Sequence, residues 1–403
     1  MAGSYGIASP RIAVSPIRVT FAALCANLVG IGLARFGYTP LIPALISANW
    51  FSPSAAVYLA AANLAGYLAG ALGARSLAAH TGSAVALRAA MVLTVAGLFA
   101  CAFRFGFAWF LLWRFVSGGT GGVLMALAAP TAIATVPAAR RGIAGGVVFT
   151  GVGLGIAASG TLVPLLMRWG LVQTWLGLAA IAGGLTALSW RGWPESVHGA
   201  RPLLGRVHHP SKMLQALYLE YALNAVGLVP HMVFLVDFVA RGLGYGLEAG
   251  ALYWIIFGAG AVVGPTIGGH LGGRFGFRPT LRLALVVQTL AVAVPFVTNS
   301  GPLIALSSFI VGAFVPDIVA ITMGRTQELM PCGPPEQTAA WVCCTIAFAI
   351  GQAFAGYGFA YVFAQTQGEY LVLFGLGAAA LLLALAIDFA AGFTVARPER
   401  SIR

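Results

Sequence analysis

A chain of 403 residues that is 60% apolar and only 8% charged, with a mean hydropathy of +0.92, cannot cover itself with polar surface in water; soluble domains are about 45–50% apolar and about 25% charged. This excludes an ordinary soluble enzyme or binding module and leaves the bilayer as the solvent. The net charge of +12 does not point to nucleic acid, because the basic residues sit in short gaps between apolar runs, where they act as headgroup and topology signals.

In chain order, Arg11 and Arg18 precede an apolar run that continues to Ser47. That run is too long for a cleavable signal segment, so it reads as a retained first span. Segments able to cross about 30 Å of hydrocarbon at about 20 residues each follow. The full set lies at approximately 17–47, 53–79, 84–103, 107–137, 142–167, 171–190, 212–240, 247–273, 279–298, 302–330, 337–364 and 370–392. Helices are required, because backbone polar groups in lipid must be satisfied internally and no barrel-like alternation is present. The expected fold is an all-α integral membrane protein of twelve transmembrane helices. The five cysteines form no CxxC and no Cys/His ligand set, so they read as small packing residues.

Positive charge orients the spans. With the N-terminus inside, the inner segments hold 17 of the 22 basic residues; the outer ones hold Arg104, Arg168 and Arg241, and Arg35 and Arg114 lie within spans. Both termini are therefore expected in the cytoplasm of a bacterial-type inner membrane. The longest inner connection divides the chain into an N-terminal six-helix half (1–190), a cytoplasmic linker (191–211) and a C-terminal six-helix half (212–403). His198, His208 and His209 in the linker have no spaced carboxylate or cysteine partner, so no metal is expected.

Two glycine-rich stretches stand 199 residues apart, "GALGAR" at 70–75 and "GHLGGRFGFR" at 269–278. Neither precedes Lys-Ser/Thr, so a phosphate-binding loop is not indicated. They resemble the G-x-L-a-D-R-x-G-R-R signature of the major facilitator superfamily, found between spans two and three and between eight and nine. Gly269, Leu271, Arg274, Gly276 and Arg278 match it, while Gly273 and Ala74 stand where the signature has Asp. "LLWRFVSGGTGG" resembles the family's fourth-span arginine motif through Arg114 and Gly118. "ARFGYTPLIP" (34–43), "NLAGYLAG" (63–70) and Gly351-Gln352 are similar to the YbfB/YjiJ-type branch. The resemblance implies a secondary transporter with alternating access, a gate loop at Gly269, Arg274, Gly276 and Arg278, and a cavity lined by spans one, four, seven and ten. Gly260, Gly264, Gly268, Gly272 and Gly276 recur every four residues in span eight, as do Gly151 and Gly155 in span five. Small residues at this spacing allow close helix contact. In the superfamily fold spans five and eight meet, so Gly264 and Gly268 are expected at that contact.

An ionisable group at the centre of a membrane helix costs roughly 2.5–3.5 kcal/mol on insertion scales and marks function by default. The deep ones are Arg35, Arg114, Glu220, His231 and Asp317, on spans one, four, seven and ten. Those spans also carry internal prolines: Pro40, Pro43, Pro130, Pro230 and Pro316. Two poorly solvated arginines need anions, and carboxylates or phosphates pair with guanidinium in a bidentate manner. Glu220 or Asp317 across the cavity would also serve as the anion, and a carboxylate released from its partner would take up a proton. The candidate substrate site is Arg35, Tyr38, Arg114, Asn224 and His231, with Asp317 and Glu220 for proton coupling. Structural alternatives stand beside these roles. Arg114 as a strut to span-one carbonyls, His231 as a neutral hydrogen-bonding residue and Glu220 as a group reaching the interface all remain open.

The leading reading is a proton-coupled carrier of a small organic anion. A proton-coupled multidrug or metabolite exporter is an alternative, weakened because "FTGVGLGIAASGTLVP" in span five lacks a Gly-Pro pair. A non-transporting sensor or scaffold is a further one. No enzyme activity is expected, since the deep groups are scattered over four helices. Expected partners are a small-molecule substrate, lipid and protons, with no cofactor and no nucleic acid; a monomer is expected.

Overall fold

Each apolar run ends where a helix stops. In the computed structural model, which describes residues 15–137, 140–194, 210–330 and 334–395, those residues contain twelve helices long and apolar enough to span a membrane. Spans one to six are Pro16–Tyr38, Pro53–Thr81, Ser83–Ala100, Phe107–Ile133, Ala144–Met167 and Leu171–Gly192. Spans seven to twelve are Lys212–Gly242, Gly246–Phe275, Phe277–Val297, Gly301–Leu329, Ala339–Gln365 and Tyr370–Ala391. No strand occurs among the described residues, as expected.

The local signals are those of ordinary helix ends. Ser52 caps span two by accepting from the Ala55 N–H at 3.3 Å, with Pro53 at the first helical position. Ser211 caps span seven through the Leu214 N–H at 3.2 Å. Gly82 (φ +83°) separates span two from three, and Gly276 (φ +88°) separates eight from nine. Only glycine adopts this conformation without strain. Gly276 therefore ends the second glycine-rich stretch as a turn, the simplest account of its place there.

Packing repeats along the chain. Span two lies along four, three against four and six; likewise eight lies along ten, and nine against ten and twelve. Five against eight and two against eleven join the first six spans to the last six. We call the side holding Trp193 and Pro210 the linker face and the opposite side, where Arg104 and Arg241 lie, the far face.

The closest contacts are backbone to backbone. A Cβ on Gly66 or Gly70 of span two would strike the Phe115 or Gly119 carbonyl of span four, and one on Gly118 would strike the Asn63 carbonyl. The glycines of span eight do the same, but toward span ten: Gly260 meets Phe309, Gly264 meets Ala313, and Gly268 meets the carboxylate of Asp317. Gly272 meets the Phe277 ring. This corrects the expectation that the stripe faces span five. Span five reaches span eight through Gly153 against Ala261 and through Ala157 against Gly258, while its Gly151 and Gly155 face Leu24 and Gly32 of span one. The reason is rotational: residues 258 and 261 lie on a different side of the helix from 260, 264 and 268.

Spans one and seven are broken in the same half. Span one runs as an α-helix over Pro16–Asn27, a π-helix over Leu28–Leu33 and a 3-10 turn over Phe36–Tyr38, and a further helix covers Leu41–Ser47. Span seven is α-helical over Lys212–Val229 and then π-helical at Pro230–Phe234 and Phe238–Gly242. Pro230 lacks the N–H that an α-turn would use, so the wider turn begins there. Residues 29–45 and 227–240 are buried without interruption.

Candidate functional site

Three segments far apart in sequence converge on two guanidinium groups. Arg35, which follows the π-turn of span one, donates from Nη2 to Gln352 Oε1 of span eleven at 2.8 Å. Its guanidinium also lies over the Tyr67 ring of span two, 4.8 Å from the centroid, and 5.3 Å from that of Phe36. Arg114 of span four donates from Nη1 to the Ala34 carbonyl at 2.7 Å and covers the Tyr38 ring at 4.1 Å. Asn63 Nδ2 donates to the Arg114 carbonyl at 3.1 Å. Stretches 34–43 and 63–70 and the Gly351-Gln352 pair are thus parts of one place.

Burial at this place is deep and charge is unbalanced. Arg35 is 9% exposed and Arg114 2%. Among the described residues neither forms an ion pair, and Nε of each is buried without a hydrogen-bond partner. The sequence explains the imbalance: all ten acidic residues lie at position 195 or later, so the first 194 residues carry 11 arginines and no carboxylate side chain. That signal is present in the sequence and goes unused when deep charges are considered one at a time.

The other candidate residues lie elsewhere. Tyr38 points within the first six spans, its hydroxyl donating to the Ala56 carbonyl at 3.0 Å beside Trp175. Asn224 turns toward span nine, where its amide donates to Gln288. His231 is 0% exposed; its Nε2 meets Ser307 Oγ at 2.9 Å, and its ring stands edge-on to Phe374 at 5.0 Å. Ser307 donates its own proton to the Ala291 carbonyl at 2.6 Å, so the imidazole Nε2 carries the proton of that pair. Span seven therefore turns its polar stripe into the last six spans, away from the arginines. Met232, one residue on, faces span one and accepts from Thr39 through its carbonyl at 2.7 Å.

The carboxylates are likewise not across from the arginines. Asp317 lies against Gly268 on span eight, with Oδ1 buried and unpaired. Glu220 faces Leu281 and Leu285 of span nine and Thr322 of span ten. In the gate stretch, Gly269 and Gly273 have open space around them, and Arg274 lies 5.4 Å from the Phe275 ring. Arg278 is 4.0 Å from Asp388 of span twelve, which Arg282 holds at 2.5 Å. Glu328 of span ten accepts the Phe277 N–H at 2.8 Å and pairs with Arg325 at 2.9 Å. An acid at the start of span nine is favourable for the helix dipole. Glu328, missed in the sequence, thus holds the loop at whose usual acidic position this chain has Gly273.

The hydrogen bonds and ring pairs between the first and last six spans lie away from the linker face. Arg35 to Gln352 lies mid-span; Thr39 to Met232, Ser159 to Trp254 (3.0 Å), Phe36 to Trp254 and Tyr58 to Tyr357 lie at or beyond it toward the far face. Among the described residues these are the hydrogen bonds and ring pairs that join the two sets. These links lie at about the depth of the arginines, between the middle of the spans and the far face.

Comparison with known proteins agrees with this fold. The family model described as "Uncharacterised MFS-type transporter YbfB" matches residues 27–389. A Haemophilus influenzae protein named for metabolite transport is 25% identical over 280 residues, covering 64% of this chain and 67% of that protein. The crystal structure of a D-xylose-proton symporter superposes with a TM-score of 0.72 at 18% identity, over 91% of this chain and 97% of that one. A bacterial homologue of the human lysosomal transporter Spinster, inward-facing and unoccupied, gives 0.69 at 17% identity, over 96% and 99%. These structures share the fold.

Proposed function

Because the chain belongs to the family of uncharacterised YbfB-type major facilitator transporters, we propose that it carries a small organic anion across the inner membrane with protons, by alternating access between two six-helix halves (1–190 and 212–403). One observation carries the anion: two buried guanidinium groups with no carboxylate partner among the described residues, where the two sets of spans meet. Arg35 is the residue at the junction itself and binds the anion in a bidentate manner, with Gln352 as a movable neighbour. Arg114 anchors span one through Ala34 and adds positive potential. The name of the Haemophilus relative, metabolite transport, supports a small solute.

The position of those links, away from the linker face, supports a state open toward it, as in the inward-facing neighbour. Asp317 is the proton carrier in this reading, because its unpaired Oδ1 is buried against span eight. A proton there removes an uncompensated charge between two helices.

The test is uptake and counterflow in proteoliposomes with an imposed pH gradient, comparing organic acids with neutral sugars. Organic acids should be concentrated and sugars should not. Asp317→Asn should stop accumulation against the gradient and leave counterflow intact. Concentration of substrate by that variant would remove Asp317 from the mechanism.

The linker face and both termini are cytoplasmic in this proposal, from the basic-residue asymmetry. In whole cells an impermeant thiol reagent should label Tyr245→Cys, which is 50% exposed at the far face, and spare Lys212→Cys. The opposite pattern would invert the topology.

A further inference from the structure

Span eleven carries a stripe of which the arginine site uses one end. Trp341, Thr345, Phe348 and Gln352 follow one another at helical spacing. Nine residues after each of them stand Ile350, Phe354, Tyr357 and Tyr361, all exposed. Nine residues are about two and a half turns, so the stripe points away from the lipid-facing side. On either side of it, Gly351 lies against the Ala222 backbone of span seven and Gly356 against Leu64 of span two. The stripe therefore looks between the two sets of spans. Gln352 is 1% exposed, yet Trp341, Thr345 and Phe348 are only half-buried. Side chains that face inward and keep accessible surface line a space. This one closes at Gln352 and opens toward the linker face.

The lining is aromatic, with a cation at its closed end. Tyr221 of span seven packs on Phe348 at 4.5 Å and on Trp341 at 6.2 Å between ring centroids. It also stands within electrostatic reach of Tyr67 of span two. Tyr67 in turn covers a face of the Arg35 guanidinium at 4.8 Å. The edge of that guanidinium stays available: Nη2 holds only the neutral Gln352, and Nε has no hydrogen-bond partner among the described residues. Phe348 is one turn, about 6 Å, from Gln352 toward the linker face, and Trp341 about 16 Å. A carboxylate on the Arg35 edge thus leaves a ring one or two carbons away beside Phe348. Edge-to-face and offset contacts favour an aromatic ring over an aliphatic one of equal area. Beside the Trp341 ring nitrogen, Thr345 and Gln352 are the hydrogen-bonding groups of the stripe, too few for the hydroxyls of a sugar. We infer that the anion is an aromatic carboxylate, its carboxylate on Arg35 and its ring against Phe348 and Trp341. This rests on the anion reading and names the substrate class.

The experiment is a thermal melt of the purified full chain titrated with phenylpropionate, cyclohexylpropionate, phenylpropionamide or succinate at constant ionic strength. A ligand that binds only the folded state raises the melting temperature. Phenylpropionate should bind roughly two- to tenfold more tightly than cyclohexylpropionate, the margin that aromatic pairs show beyond their buried area. The neutral amide should give no shift. Phe348→Leu keeps an apolar side chain without a ring. It should bring phenylpropionate down to the level of cyclohexylpropionate, whose own affinity changes little. Should Phe348→Leu fail to fold, Trp341→Leu makes the same test nearer the linker face. Equal binding of the two ring acids by the wild type would overturn the aromatic class and keep the anion, as would a response to succinate alone. A ring preference that survives both substitutions would overturn the assigned wall. An amide that binds as well as the acid would remove the anion reading itself, so the two failures are distinguishable.

Discussion

Arg35→Ala is expected to abolish binding of an anionic substrate while leaving a folded protein. Arg35 contributes to the fold one hydrogen bond to a neutral amide and contacts with two rings. Its loss leaves Gln352 free to turn and bond elsewhere, at small cost. Loss to the substrate is larger. Truncating one partner of a buried charge pair costs about 2–5 kcal/mol, or roughly thirty-fold and upward in affinity. Arg35→Lys should restore only part, because an ammonium cannot present the planar fork. Arg114→Ala should behave differently. Its Nη1 ties span four to the Ala34 carbonyl at 2.7 Å, next to the break in span one. Removing it orphans a buried carbonyl and should lower folded yield before it changes affinity. The measurements are ligand-induced thermal shift and proteoliposome uptake on each variant. An Arg35→Ala protein with unchanged affinity would favour a neutral or cationic substrate.

The largest effect on folding is expected at Gly264. A Cβ there already strikes the Ala313 backbone, and a leucine side chain would have to push spans eight and ten apart. Overpacking against side chains costs about 1–3 kcal/mol, and a backbone cannot yield by changing rotamer, so the cost should exceed that range. Gly264→Leu should give aggregated or low-yield protein in detergent, and Gly264→Ala a lower melting temperature. Gly269→Ala and Gly273→Ala are the internal controls. They lie in the same helix but meet nothing within 4 Å. Alanine in a helix interior should be neutral or stabilising there by about 0.5–1 kcal/mol. Size-exclusion profiles and melting curves of the four variants check this. A monodisperse Gly264→Leu protein with wild-type melting would show that the two spans are not locked together.

The twelve spans were legible because length and apolarity fix them, with little competition from packing. The depth of Arg35 and Arg114 was legible for the same reason. The partners were not. A membrane helix is apolar on every side, so its polar stripe does not say whether it faces a cavity or a neighbour. Asn224 and His231 accordingly lie toward spans nine and ten instead of the arginines. The glycine stripe of span eight has the same ambiguity. Spacing shows that some helix comes close, and only tertiary structure selects span ten over five. Glu328 escaped notice because it sits at a helix end, where an acid looks like ordinary surface.

No acidic residue precedes Glu195 in this sequence, so the charge on Arg35 and Arg114 is not cancelled within the six spans that carry it. Empty, that half presents positive charge to whichever side the site opens; holding an anion, it presents less or none. A membrane potential does about 2.3 kcal/mol of work per elementary charge per 100 mV. In the proposed carrier, however, a monovalent anion bound at Arg35 and a proton taken up at Asp317 cancel, so the loaded and unloaded forms carry the same charge and a one-to-one cycle moves none. An imposed voltage should then leave uptake unchanged, where a pH gradient drives it.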